Sequence, residues 1–326
     1  MIDTELIQEA RRRIAEHIRV TPLERSRTLS GLLSTNVFVK YELFQTTGAF
    51  KARGAFNKIL SLTSEERSRG VVAVSGGNHA QAVAYAASSL GVRSVVLMPE
   101  STPQNYIDGT RSYGAAVELL PTIAAAFDEI KRYQSEGMIF VHPFDDPLVM
   151  AGQGTVGLEI MDALPEVTDV ILSIGGGGMA AGVSVAIKSL KPSVKMWGVE
   201  TVGADAMSQA MAAGRPVQLP AITSIAKTLG APSVSDETLA LTHQNFEGVT
   251  VVTDGETVDS LRFILERLKV LTEPAAACTL AAALKLKENF GPDRNVVLIL
   301  CGGNLLLGDL CRYISDPSLI NVETAF

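Results

Sequence analysis

The chain has 326 residues and a mass of 34.6 kDa, enough for a full core in one large α/β unit or two lobes. Apolar residues make up 47% and charged residues 19%, which excludes a largely disordered chain. A net charge of −7 and a pI near 5.3 argue against nucleic acid or an anionic membrane as the main partner, while leaving room for a local basic pocket.

In chain order, "MIDTELIQEARRRIAEHIRV" is charged throughout and reads as an amphipathic helix, not a secretory signal. No apolar run approaches the ~20 residues that span a bilayer, so the expected compartment is the cytoplasm. "NVFVKYEL" (36–43) reads as the first buried strand. In "FQTTGAFKARGAF" (44–56), Lys51 sits among apolar and small residues; it is either a surface charge at a helix start or a nucleophile. "TSEERSRG" opens with a capping box from Thr63 to Glu66 and ends on Gly70.

"VVAV" (71–74) runs into "SGGNHAQAVAYAA". Ser75, Gly76, Gly77 and Asn78 would offer several N–H donors and an amide at a helix start, which suits a carboxylate; His79 is a general base or a packed helix residue. Further buried runs are "SVVLMP" (94–99), "AAVELL" (115–120), "MIFVHP" (138–143), "DVILSI" (169–174), "VKMWGVE" (194–200), "VTVVTD" (249–254) and "NVVLILC" (295–301). Their continuous hydrophobicity predicts strands covered on both faces, hence a doubly wound, mostly parallel α/β fold.

Gly175, Gly176, Gly177 and Gly178 follow "DVILSI" directly and precede an alanine-rich helix. N–H groups at such a turn make an anion site that suits phosphate. Gly176, Gly178 and Ala181 also match G-x-G-x-x-A, with Glu200 ending the next strand, so an NAD-dependent oxidoreductase is an alternative. A third glycine turn, "LILCGGN", carries Cys301 and Asn304. Three glycine-rich strand ends predict one site at the carboxyl edge of the sheets. Cys278, Cys301 and Cys311 are too scattered for a disulfide framework or a zinc site.

Taken in order, "TTGAFKARGA", "SGGNHAQAVAYAA", "HPFDD", "AGQGT", "GGGGMAAG" and "CGGN" resemble the fold type II pyridoxal-phosphate enzymes, the two-lobed tryptophan synthase β-like group, and within it the threonine/serine dehydratase and serine racemase branch. The resemblance implies that Lys51 forms the Schiff base with pyridoxal 5′-phosphate, as burial that lowers a lysine's pKa would favour. It further implies that Phe50 lies against the cofactor ring and that Gly175 to Gly178 with Met179 hold the phosphate. Asn78 would bond the ring hydroxyl, Cys301 would face the pyridine nitrogen, and Ser75, Gly77, Asn78 and His79 would clasp the substrate carboxylate. By the same analogy a small mobile lobe spans residues 48–155, residues 1–47 and 156–326 form the large lobe, and the enzyme is a homodimer.

Within the branch, racemisation needs acid–base groups on both faces of the bound substrate. Where serine racemases carry a second-face serine this chain has Gly76, so little or no racemase activity is expected. Elimination needs only Lys51 to remove the Cα proton while the cofactor takes up the charge. The expected activity is a dehydratase or ammonia-lyase acting on a β-hydroxy amino acid: threonine, serine, threo-3-hydroxyaspartate or a hydroxyectoine-derived amino acid. A serine or amino-acid racemase is the alternative. Some relatives bind a divalent cation through a Glu, an alanine carbonyl and an Asp; here Glu200 and Ala204 fit but Ala206 fills the Asp position. Asp205 or water could still serve as a ligand, yet no metal site is expected. The family's "IADG" reads "IAKT" at 225–228, so Lys227 marks either a substrate with an additional negative group or an exposed loop. No regulatory domain is expected after the last motif.

Overall fold

A computed structural model describes residues 2–319. Ten strands are formed: β1 (Leu23–Arg25), β2 (Asn36–Tyr41), β3 (Val71–Val74), β4 (Ser94–Pro99), β5 (Ala116–Leu120), β6 (Ile139–Phe140), β7 (Asp169–Ser173), β8 (Lys195–Thr201), β9 (Phe246–Val252) and β10 (Asn295–Leu300). They make a six-stranded sheet in the order β1-β2-β10-β7-β8-β9 and a four-stranded sheet in the order β5-β4-β3-β6. All neighbours are parallel except the β1–β2 edge pair. Every residue of β3 and β7 is buried, as strands packed beneath helices on both faces must be.

Two expected strands are shorter than their apolar runs. "MIFVHP" forms ladder pairs only at Ile139 and Phe140; Val141 N–H still reaches Val72 O at 2.9 Å, but Pro143 has no N–H to extend the ladder. "NVFVKYEL" stops at Tyr41 because Glu42 turns inward to meet a buried cation.

That cation is Arg53, at the start of the helix Lys51–Leu60. Its guanidinium donates to Glu42 at 2.8 Å and to Glu159, on the helix Pro147–Ala163, at 2.6 Å. Lys40 completes the group against Glu159 at 2.5 Å. Two cations and two carboxylates thus balance inside the protein; Arg53 is held protonated and Glu42 is held ionised by their mutual attraction. The same helices touch backbone to backbone. A Cβ on Gly152 would stand 2.6 Å from Arg53 O, and one on Gly182 would stand 2.1 Å from Met150 O. Close helix contact and the buried ion group together fix the segment that carries Lys51.

Candidate active site

Lys51 opens its helix directly after a turn pinned to the end of β10. Phe50 N–H donates to Cys301 O at 3.1 Å, and Gly303 N–H to Gly48 O at 2.9 Å. Thr47 and Gly48 both have left-handed backbones (φ 64° and 73°), and a Cβ on Gly48 would strike the Asn304 amide at 2.5 Å. The Lys51 ammonium donates to Pro143 O at 2.6 Å and lies 5.1 Å from the centre of the Phe50 ring. Burial pushes its pKa down to about 8, so a useful share is free amine near neutral pH.

The glycine run lies opposite. The helix Gly178–Leu190 starts with no side-chain cap, leaving its first N–H groups for a ligand. Only Gly177 has a left-handed backbone (φ 92°); the others are glycine because neighbours press on them. A Cβ at Gly175 would meet Leu229 O at 2.8 Å, at Gly176 the Phe144 ring at 2.2 Å, and at Gly178 Phe144 Cα at 2.9 Å. The expected reason, four peptide groups wrapping tightly, therefore holds at one position, and close approach explains three. Met179 is buried in the first turn of this helix. An uncapped glycine cradle beside a desolvated lysine fits pyridoxal phosphate: the N–H groups of 175–179 would hold its phosphate and Lys51 its reactive carbon.

Ser75 and Gly77 lead from β3 into the helix Asn78–Ser89, which also lacks a side-chain cap. Ser75 Oγ accepts from Gly77 N–H at 3.1 Å. The Asn78 amide is fully engaged. It donates to Glu273 at 2.8 and 3.1 Å and accepts from Asn304 Nδ2 at 2.8 Å. His79 resolves toward the packed reading. Its Nε2 is 2.9 Å from Val141 O, a carbonyl that can only accept, so Nε2 carries the proton. Burial, aided by nearby Lys51, lowers the ring's pKa to about 3. Such a ring is too weak a base for catalysis and has no N–H left for a carboxylate; only the main-chain N–H of His79 can serve the expected clasp.

Cys301 ends β10 with its thiol 3.5 Å from Ser173 Oγ and 3.6 Å from Ala275 O. Burial pushes it up to about 12, so it stays a neutral, weak partner for a ring nitrogen.

Glu200 is not free for a ribose or a metal. Its carboxylate accepts from Met207 N–H at 2.8 Å, Ser208 N–H at 2.7 Å and Ser208 Oγ at 2.7 Å, and so anchors the helix Ala206–Ala213. Lys227 is exposed; the residue of that loop that reaches inward is Thr228, whose hydroxyl donates to Glu273 at 2.8 Å.

Four site residues escaped the sequence reading. Glu273 is buried, with its pKa raised by burial to about 7. Tyr106 donates to Asn304 O at 2.6 Å, while Pro143 and Phe144 line the lysine and the glycine turn. Only Glu273 left a signal: a carboxylate placed immediately before a helix-starting proline, in "TEPAAA".

Comparison with known proteins agrees with this geometry. Residues 14–302 match the family described as pyridoxal-phosphate dependent enzyme. The L-threonine ammonia-lyase of Thermotoga maritima is 40% identical over 317 residues, covering 97% of this chain and 79% of that protein. Maize serine racemase superposes with a TM-score of 0.91 at 35% identity, over 96% of this chain and 97% of that one. The serine racemase of Dictyostelium discoideum gives 0.87 at 34% identity, over 94% and 99%, and a bacterial-type threonine deaminase structure gives 0.87 at 37% identity over the same shares. With a lysine, a glycine cradle and a donor-lined loop converging at one sheet edge, and relatives that match nearly end to end, the chain belongs to the fold type II pyridoxal-phosphate dependent enzymes.

Proposed function

We propose that this enzyme is an ammonia-lyase that converts a β-hydroxy amino acid to a 2-oxo acid and ammonia. The observation that carries it is the desolvated Lys51 amine, set between an uncapped phosphate cradle and an uncapped loop for a carboxylate. Similarity to an L-threonine ammonia-lyase over 97% of the chain supports the same reading.

Pyridoxal phosphate, when bound, supplies the electron sink for charge left at the substrate's Cα. The protein does the rest. Main-chain N–H groups at Asn78 and His79, with Ser75 Oγ, orient the carboxylate. Lys51 Nζ, poised near neutral pH, takes the Cα proton. Pro143 O gives the amine a hydrogen-bonded station when it is not covalently engaged. Phe144 and Leu229 seal the glycine turn from water. We further place residues 48–155 as a small lobe that closes over the substrate, and the enzyme as a cytoplasmic homodimer. Light scattering and small-angle X-ray scattering with and without ligand test the last two statements.

The deciding assay is 2-oxo acid release by the cofactor-loaded enzyme from L-threonine, L-serine, both 3-hydroxyaspartate diastereomers and hydroxylated diaminobutyrates. Release from one of them, with little formation of the D-isomer, is expected. Racemisation without release would replace the lyase reading with that of a racemase, the activity of the maize relative.

A further inference from the structure

Gly76 is not glycine for its backbone, since its φ lies outside the left-handed region. It is glycine for its neighbour. A Cβ there would stand 2.6 Å from Thr102 Oγ1, 3.5 Å from Thr102 Cγ2 and 3.6 Å from Pro99 Cδ. Thr102 lies in the turn after β4, with its N–H on Pro99 O at 2.9 Å. It is 8% exposed, and its hydroxyl has no hydrogen-bond partner. A buried hydroxyl is costly to leave unpaired. This one stands in the space that a side chain at position 76 would fill, in the loop that leads into the uncapped helix Asn78–Ser89.

We propose that Thr102 is a substrate-binding residue whose hydroxyl donates to the carboxylate received by the Ser75–His79 loop. The inference rests on the reading of the ligand as an amino acid, but not on what reaction follows. The donors around the loop favour an anion. Ser75 Oγ already accepts from Gly77 N–H, so its proton is free to donate. The first-turn N–H groups of the helix have no intrahelical partner. His79, neutral and turned to Val141 O, brings no charge. A carboxylate here is held by neutral donors alone, and each added donor counts.

The test is binding, not turnover. L-Alanine carries the carboxylate and amine but no β-hydroxyl to lose, and its binding to the cofactor-loaded enzyme is followed by the change in cofactor absorbance. Ethylamine, which lacks the carboxylate, is the control. Thr102→Val should weaken L-alanine roughly 10- to 100-fold, the loss expected for one hydrogen bond to a charged group, and leave ethylamine unchanged. Thr102→Ser should bind as the parent does. The pair Gly76→Ser with Thr102→Ala should regain most of the affinity by supplying the hydroxyl from the other side. Should Thr102→Val not fold, Thr102→Ala carries the same comparison. Unchanged L-alanine binding in the Val or Ala variant, or equal losses for L-alanine and ethylamine, overturns the proposal, as does a parent enzyme that fails to bind L-alanine. A parent that binds L-alanine through Thr102 yet releases no 2-oxo acid would sink the lyase reading alone.

Discussion

Glu273 is the residue whose replacement reports most directly on the site's electrostatics. Its carboxyl is enclosed and accepts from Asn78 and Thr228, with no cation among its bonded partners. Burial raises its pKa from 4.5 to about 7, against the smaller pull of those hydrogen bonds. In the unfolded chain the group ionises near its ordinary value, so between pH 4.5 and about 7 the folded state holds a proton the unfolded state has lost. Stability must therefore fall as pH rises through that window and level off above it. At roughly 1.4 kcal/mol per pH unit the decline amounts to about 3 kcal/mol. Glu273→Gln keeps the shape of the protonated carboxyl and removes the titration. Urea unfolding of the cofactor-loaded parent and variant at about pH 5 and about pH 7.5 should show the parent losing about 3 kcal/mol more than the variant between the two. Glu200, also raised to about 7, is common to both proteins and cancels. Parallel pH profiles would refute the reasoning, because a carboxyl that ionises normally in the fold leaves nothing for the substitution to remove.

Two further changes probe the frame around the lysine. Gly176→Ala would drive a methyl into the Phe144 ring, 2.2 Å away. It should cost ~1–3 kcal/mol and weaken cofactor binding in an absorbance titration, with recovery when Phe144→Ala is added; no recovery would mean that another contact requires the glycine. Arg53→Met leaves Glu42 and Glu159 buried with only Lys40 to balance them. A urea midpoint equivalent to a loss of about 3–5 kcal/mol is expected, and a loss below ~1 kcal/mol would show the ion group to be no better than a surface pair.

The strand framework and the three glycine turns were legible in the sequence because each is local. A covered parallel strand needs a continuous apolar run, and a phosphate or carboxylate turn needs small residues at the strand's end. Lys51 was legible only as an oddity, a cation among small and apolar neighbours, until the motifs around it were read together. Glu273 and Tyr106 were not legible, because their meaning lies in partners 195 and 198 residues away in sequence, Asn78 and Asn304. β1 was missed because three residues with an exposed pattern carry no period. Gly76 misled in a different way. Read alone it signals a lost hydroxyl; in the fold, Thr102 brings a hydroxyl to the same space.

The titratable side chains at this site share a tendency that follows from their burial. Lys51 is pushed down to about 8 and His79 down to about 3, while Cys301 is pushed up to about 12 and Glu273 up to about 7. Each moves toward its neutral form, as desolvation requires when no opposite charge is at hand. The one strongly charged group close by, Arg53, has its charge absorbed by Glu42 and Glu159. Negative charge on a bound phosphate or carboxylate must therefore be met by oriented N–H dipoles at two uncapped helix starts rather than by side-chain cations. That arrangement has a chemical consequence. A lysine or arginine set against the phosphate would have kept Lys51 company with a like charge, while a carboxylate set against it would have held it protonated; either would have fixed the amine's state. Backbone donors hold the anions and leave Lys51 free to change between ammonium and amine near neutral pH, which a residue that both takes a proton and serves as a nucleophile requires.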